Sequence, residues 1–121
     1  MNLTQGQIQF LTDNKNIILA TSTNNTPRAI MVIPSTIEAD RIVISNIQME
    51  TSCENIRNNP NVFLVSYNKD NSKWMKISGV AEMFSNGDFF NEIVALESTR
   101  CPMPVKEIIV IKIQSVVFGE E

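Results

Sequence analysis

The sequence predicts a mainly β fold, an antiparallel sheet or barrel decorated by three short helices. Six stretches rich in β-branched and aromatic residues carry the prediction: 17–21, 28–33, 41–45, 62–67, 74–84 and 108–118. Clusters of Asn, Asp, Ser, Gly and Pro separate them, as expected of strands joined by turns. Three helical patterns fall among the strands without alternating regularly with them, which disfavours a parallel doubly wound fold. A length of 121 residues, 43% hydrophobic and 19% charged, suits a single domain (residues 1–121) with one core.

Thr4 followed by Gln7 has the spacing of a capping box, and Ile8, Phe10 and Leu11 supply an apolar stripe. A first helix is therefore expected over residues 4–13, ended by Asn14 to Asn16. Residues 17–21 read as a buried strand, and Asn24-Asn25-Thr26-Pro27 as a turn cluster. Strand 28–33 stops at Pro34, which cannot donate a ladder hydrogen bond and so marks an edge, a bulge or the strand end. Glu38-Ala39-Asp40 makes a hairpin-like turn into strand 41–45. A short helix is expected over residues 52–58, halted by Asn59-Pro60 because a residue before proline avoids the helical region.

Strand 62–67 and the polar turn 68–72 lead into the long strand 74–84, where Gly79 suggests a bulge or a close backbone approach. Ser85-Asn86-Gly87-Asp88 opens a third helix that directs Phe89, Phe90, Ile93 and Leu96 to core packing. Cys101-Pro102-Met103-Pro104 is an irregular loop. In the last strand Ile109, Ile111 and Ile113 alternate with Val110, Lys112 and Gln114, the pattern of a half-buried strand.

Composition removes several function classes. A net charge of -3 with scattered Lys and Arg argues against nucleic-acid binding, which needs clustered cations. No apolar run approaches the roughly 20 residues that span a bilayer, and the first ten residues lack a signal-peptide pattern, so a cytoplasmic location is expected. Cys53 and Cys101 read as free thiols, with a disulfide between them left open. The chain has no histidine, so Ser-His and Cys-His nucleophiles cannot form and no metal site is expected. Redox or group-transfer chemistry would have to come from a bound cofactor.

The stretch 41–67 holds the most specific signal. A strand runs into a helix start carrying Thr51 and Ser52, where free N–H groups and the helix dipole favour a phosphate. Thr51 with Glu54 also fits a capping box, so the same residues could serve only as a capped connector.

The order Thr26-Pro27-Arg28, Arg41-Ile42-Val43-Ile44, the T-S-x-x-N-I-x-x-N-P segment 51–60, Val62-Phe63-Leu64-Val65 and Ile77-Ser78-Gly79-Val80-Ala81 resembles a known family over nearly the whole chain. These are the flavin-binding split β-barrels, typified by pyridoxamine 5′-phosphate oxidase and the small bacterial FMN-binding proteins. The resemblance implies a six-stranded, Greek-key-like antiparallel split barrel and a homodimer with non-covalent FMN at its interface. It places the flavin ring along Ile30, Met31, Val32, Ile33 and Pro34, with polar contacts from the end of the next strand at Ile44, Ser45 and Asn46. Thr51 and Ser52 would meet the phosphate, and Asn55 would lie near the cofactor.

Arg28 is the nearest candidate cation for that phosphate, with Arg57 or a residue of a second subunit as alternatives. The phosphate turn itself carries Glu50 and Glu54 where the family often has Lys or Arg. Met31 and Met49 would pack the core or the flavin face, and Trp74 would lie at an interface or stack on the flavin from the partner. Arg28 could equally be a solvated charge, and Ser45 and Asn46 turn formers. Cys53, beside Glu54, is not expected to be a catalytic thiol.

The function implied is an FMN-binding oxidoreductase or electron carrier with an unknown small-molecule or protein redox partner. Strict pyridoxamine-phosphate oxidase activity is not expected, because the sequence shows no basic carboxy-terminal segment. The alternative is a split-barrel dimer that binds haem, a deazaflavin or another ligand without turnover, or that acts as a sensor. The lack of histidine counts against haem.

Overall fold

The computed structural model describes residues 1–120, with nothing taken from the side chain of Glu120; residue 121 of the expected domain lies outside the described residues. In chain order the elements are α1 (Gln5–Asp13), β1 (Ile17–Thr23), β2 (Thr26–Val32), β3 (Thr36–Ile37), β4 (Arg41–Asn46), α2 (Glu50–Asn58), β5 (Asn61–Asn68), β6 (Lys73–Phe84), α3 (Asp88–Ser98) and β7 (Glu107–Glu120). The strands form one sheet in the order β2-β1-β5-β6-β7-β4-β3, every pair antiparallel. Strand β4 precedes β5 in sequence yet pairs with β7, and α2 carries the crossing. The order β5-β6-β7-β4 is thus a Greek-key path.

Two expectations need correction. The sheet has seven strands rather than six, and it does not close into a barrel. The additional strand, β3, pairs only Thr36 with Val43 and Ile37 with Ile42, too short to show any alternation in sequence. β2 and β3 are the sheet's two edges and do not pair with each other. β2 ends at Val32, β3 packs against α1, and the Leu3 N–H donates to the Ala39 carbonyl in the link from β3 to β4 at 2.6 Å.

Period-two alternation decides which side chains meet. Leu19, Ile42, Ile44, Leu64, Met75, Ile77, Ile109 and Ile111 turn to one face, where Leu11 of α1 and Cys53 and Ile56 of α2 close the core. α3 seals a smaller cluster on Val43, Ile108 and Val110 through Ile93, with Phe89 and Phe90 only partly buried. At α1 the capping box forms as expected: the Gln7 N–H donates to Thr4 Oγ1 at 3.1 Å, and the Thr4 N–H to Gln7 Oε1 at 2.9 Å. The β1–β2 hairpin turns on Asn24 and Asn25, both with positive φ, the two-residue geometry that matches strand twist. Gly79 sits at a register shift between β6 and β7, and a Cβ there would lie 2.5 Å from Ile111 Cγ2 and 2.8 Å from the Lys112 carbonyl. Among the described residues no helix is long and apolar enough to cross a membrane.

Candidate functional site

The edge strand β2, the end of β4 and the start of α2 enclose a groove of about 430 Å³. β2 lines it with Arg28, Ile30, Met31, Val32 and Ile33, and β4 with Ile44 and Ser45. The β4–α2 link adds Ile47, Gln48 and Met49, and α2 adds Ser52. Cross-strand pairing explains the wall. Ile30 lies opposite buried Leu19, and Val32 opposite buried Ile17, so both turn inward and pack on the core. Met31 and Ile33 point the other way and are 65% and 59% exposed. Because β2 is an edge, its outer N–H and C=O groups stay free of any ladder partner and open to a ligand.

The same register sets one end of the groove. Arg28 pairs with Thr21, whose hydroxyl accepts from Asn55 Nδ2 of α2 at 3.1 Å. Arg28 therefore projects toward the face on which α2 rests, and Ser52 lies one turn before Asn55. Among the described residues the Arg28 guanidinium has no ion pair or hydrogen bond.

Helix α2 begins at Glu50, two residues earlier than expected, and its N-cap Met49 makes no side-chain cap. The Thr51–Glu54 capping box is therefore absent, because both residues already lie inside the helix. Asn46 is the reason. Its Oδ1 accepts the Met49 N–H at 3.1 Å and its Nδ2 donates to Glu107 Oε1 at 3.0 Å, starting the helix directly after the strand. The first ladder bond runs from the Cys53 N–H to the Met49 carbonyl, so the N–H groups of Glu50, Thr51 and Ser52 have no intrahelical partner.

The two glutamates of this turn are both compensated. Glu50 pairs with Lys106 at 2.5 Å, and that hydrogen bond holds its carboxyl below the ordinary range. Glu54 pairs with Arg57 at 3.1 Å, and Arg57 also holds Glu107. Arg57 is thereby committed to carboxylates, which leaves Arg28 as the cation of the groove. Burial pushes the Cys53 thiol up to about 12, with the Glu107 charge adding to it, so no thiolate forms near neutral pH. Both cysteines are free.

Five expected contacts do not line the groove. Asn46 and Asn55 are buried inside hydrogen bonds that seat α2. Thr51 is exposed on the first turn of α2, beside the groove rather than in its wall. Pro34 is buried and lines the neighbouring cavity instead. Trp74 stands on β6, three strands from β2; its ring covers Gly119, where a Cβ would lie 2.6 Å from Cζ2, and Lys76 Nζ is 4.3 Å from the ring centroid. Ile47 and Gln48 were missed because the link 47–49 has no periodic pattern; their place between Ser45 and Met49 was the available signal.

The groove thus offers an apolar wall, free edge backbone, an unpaired guanidinium and a bare helix N-terminus. Such a set suits a flat ligand carrying an anionic group. Among the described residues no group of His, Cys, Asp and Glu could hold a metal ion.

No protein-family model and no curated protein matches the sequence. Solved structures do match. HupZ of Group A Streptococcus is 16% identical, with a TM-score of 0.85 over 98% of this chain and 95% of that one. A Lactobacillus delbrueckii protein provisionally described as a pyridoxamine 5′-phosphate oxidase is 19% identical, with a TM-score of 0.81 over 96% and 93%. An FMN-binding protein of Syntrophomonas wolfei is 15% identical, with a TM-score of 0.74 over 94% and 84%. The chain shares its fold with FMN-binding and pyridoxamine 5′-phosphate oxidase-like proteins.

Proposed function

We propose that this protein is an FMN-binding flavoprotein of the pyridoxamine 5′-phosphate oxidase-like family, acting as an oxidoreductase or electron carrier. The observation that carries the reading is the groove, whose unpaired Arg28 and bare α2 N-terminus flank one end of the wall made by Ile30, Val32 and Ile44. Arg28 and the first-turn N–H groups would hold the phosphate, while the free edge of β2 would orient the ring. Bound FMN would supply the electron or hydride chemistry that these side chains lack.

The protein acts as a homodimer in this reading, with the flavin at the interface. Register aligns Met31, Ile18, Val65, Lys76 and Val117 across five strands on the face opposite α1 and α2. Met31 is 65% and Val117 56% exposed. Beside that row lie Ala29, Ala20 and exposed Phe63. A sheet face of this extent, apolar in this row except for Lys76 and continuous with the groove through β2, is suited to a second copy.

The purified protein should be yellow and release FMN on denaturation. A colourless preparation that takes up no added FMN would overturn the reading. Arg28→Gln should weaken FMN binding by about tenfold or more, the scale of one charge-assisted contact. Its melting temperature should not change, since Arg28 has no partner to lose. Unaltered affinity would remove Arg28 from the site.

A further inference from the structure

A second cavity, of about 350 Å³, adjoins the groove, and exposed Ile33 lines both. Its polar groups are Lys15, Arg100, Thr12, Ser35 and Thr36, and no carboxylate lines it. That is notable in a chain of net charge -3. Arg100 is held in place, since its Nη1 donates to the Ser35 carbonyl at 3.1 Å and forms an ion pair with Glu97 Oε1 at 3.6 Å. The Lys15 ammonium, among the described residues, has no ion pair. Thr36 makes only a long contact with Glu38, at 3.5 Å, while Thr12 and Ser35 are engaged with the Ile8 carbonyl and Ser45.

We propose that this cavity is the anion subsite for the redox substrate, a small molecule with a carboxylate or phosphate that docks between Lys15 and Arg100. The uncharged part of that molecule lies along Ile33 toward the flavin groove. The inference rests on the flavin reading and deepens it by naming the substrate's charge. Two cations on different elements, one before β1 and one after α3, meet only in the folded chain, and α1 and β3 wall the space between them.

The test has two arms. In the first, the full chain is titrated separately with inorganic phosphate and with acetate, and amide shifts are followed by NMR. Signals of Ser35, Thr36 and Ile37 should move saturably, and Lys15→Gln/Arg100→Gln should weaken this by about tenfold. Arg28→Gln should leave those three signals unchanged. The tighter anion names the substrate's group. Shifts that never saturate, or that survive the double substitution, would overturn the subsite.

In the second arm, the FMN-loaded protein is photoreduced without oxygen and reoxidised by naphthoquinone or by its anionic sulfonate. The sulfonate should react several-fold faster than the neutral quinone, and the double variant should lose that advantage while its FMN affinity stays the same. Equal rates in the unsubstituted protein would overturn the substrate role. Saturable shifts at Ser35, Thr36 and Ile37 in a chain that takes up no FMN would overturn the flavin reading and the substrate role together, leaving an anion site alone.

Discussion

Cys53 lies fully buried on the inner side of α2, and its thiol is pushed up to about 12 from an ordinary 9.0. The folded chain therefore keeps a proton that the unfolded chain releases, and stability falls as pH rises from 9.0 toward about 12. Below that window the contribution is fully present. Urea unfolding should show this alkaline loss, and Cys53→Ala should flatten it. A thiol reagent should find one fast cysteine in the native protein, half-exposed Cys101, and a second only after unfolding; two fast thiols would contradict the burial. Gly79 makes a different kind of claim. A methyl group there meets the Lys112 backbone, which cannot swing aside as a side chain could. Gly79→Ala should cost about 1–3 kcal/mol by urea denaturation, and a neutral result would mean that the β6–β7 bulge can shift.

Among the elements, α2 shows how a helix start is set from outside its own sequence. Its first turn has no side-chain cap of its own, and Asn46, at the end of β4, supplies the acceptor for the Met49 N–H. Glu107, at the start of β7, holds Asn46 and Arg57 together, so strand, helix and strand meet in one polar knot. Asn46→Ala should cost about 1–3 kcal/mol, because the Met49 N–H and Glu107 each lose a partner in a largely buried setting. Hydrogen exchange should show the matching local change, with faster exchange at the amides of Glu50 to Cys53 than in β5. Uniform acceleration across the chain would mean that Asn46 supports the whole fold rather than the helix start.

For the whole molecule, the open sheet leaves exposed Met31, Phe63 and Val117 on one face beside the groove. If two copies meet there, sedimentation should give a dimer at micromolar concentration. Val117→Glu and Phe63→Glu, both at exposed positions, should yield folded monomers that bind FMN more weakly. A native monomer at that concentration would remove the interface from the proposal. Monomeric variants with unchanged FMN affinity would show that one chain completes the site.

The sequence by itself determined the β-rich class, the cap of α1, the bulge or close approach at Gly79 and the alternation of Ile109, Ile111 and Ile113 in β7. Local chemistry and strand period suffice for these. It also pointed to β2, to Ser45 and to the strand–helix junction as one site. Tertiary structure decided the rest. β3 exists only as a two-residue partner of β4, and the start of α2 depends on a side chain four residues upstream and a carboxylate on β7. The charges were the least legible. Glu50, Glu54 and Arg57 read as repulsion or help at a phosphate, yet the fold pairs them with one another or with Lys106 and Glu107, leaving Arg28 exposed in the groove. Which charge remains free is a long-range property, because each pairing depends on the arrangement of strands around it.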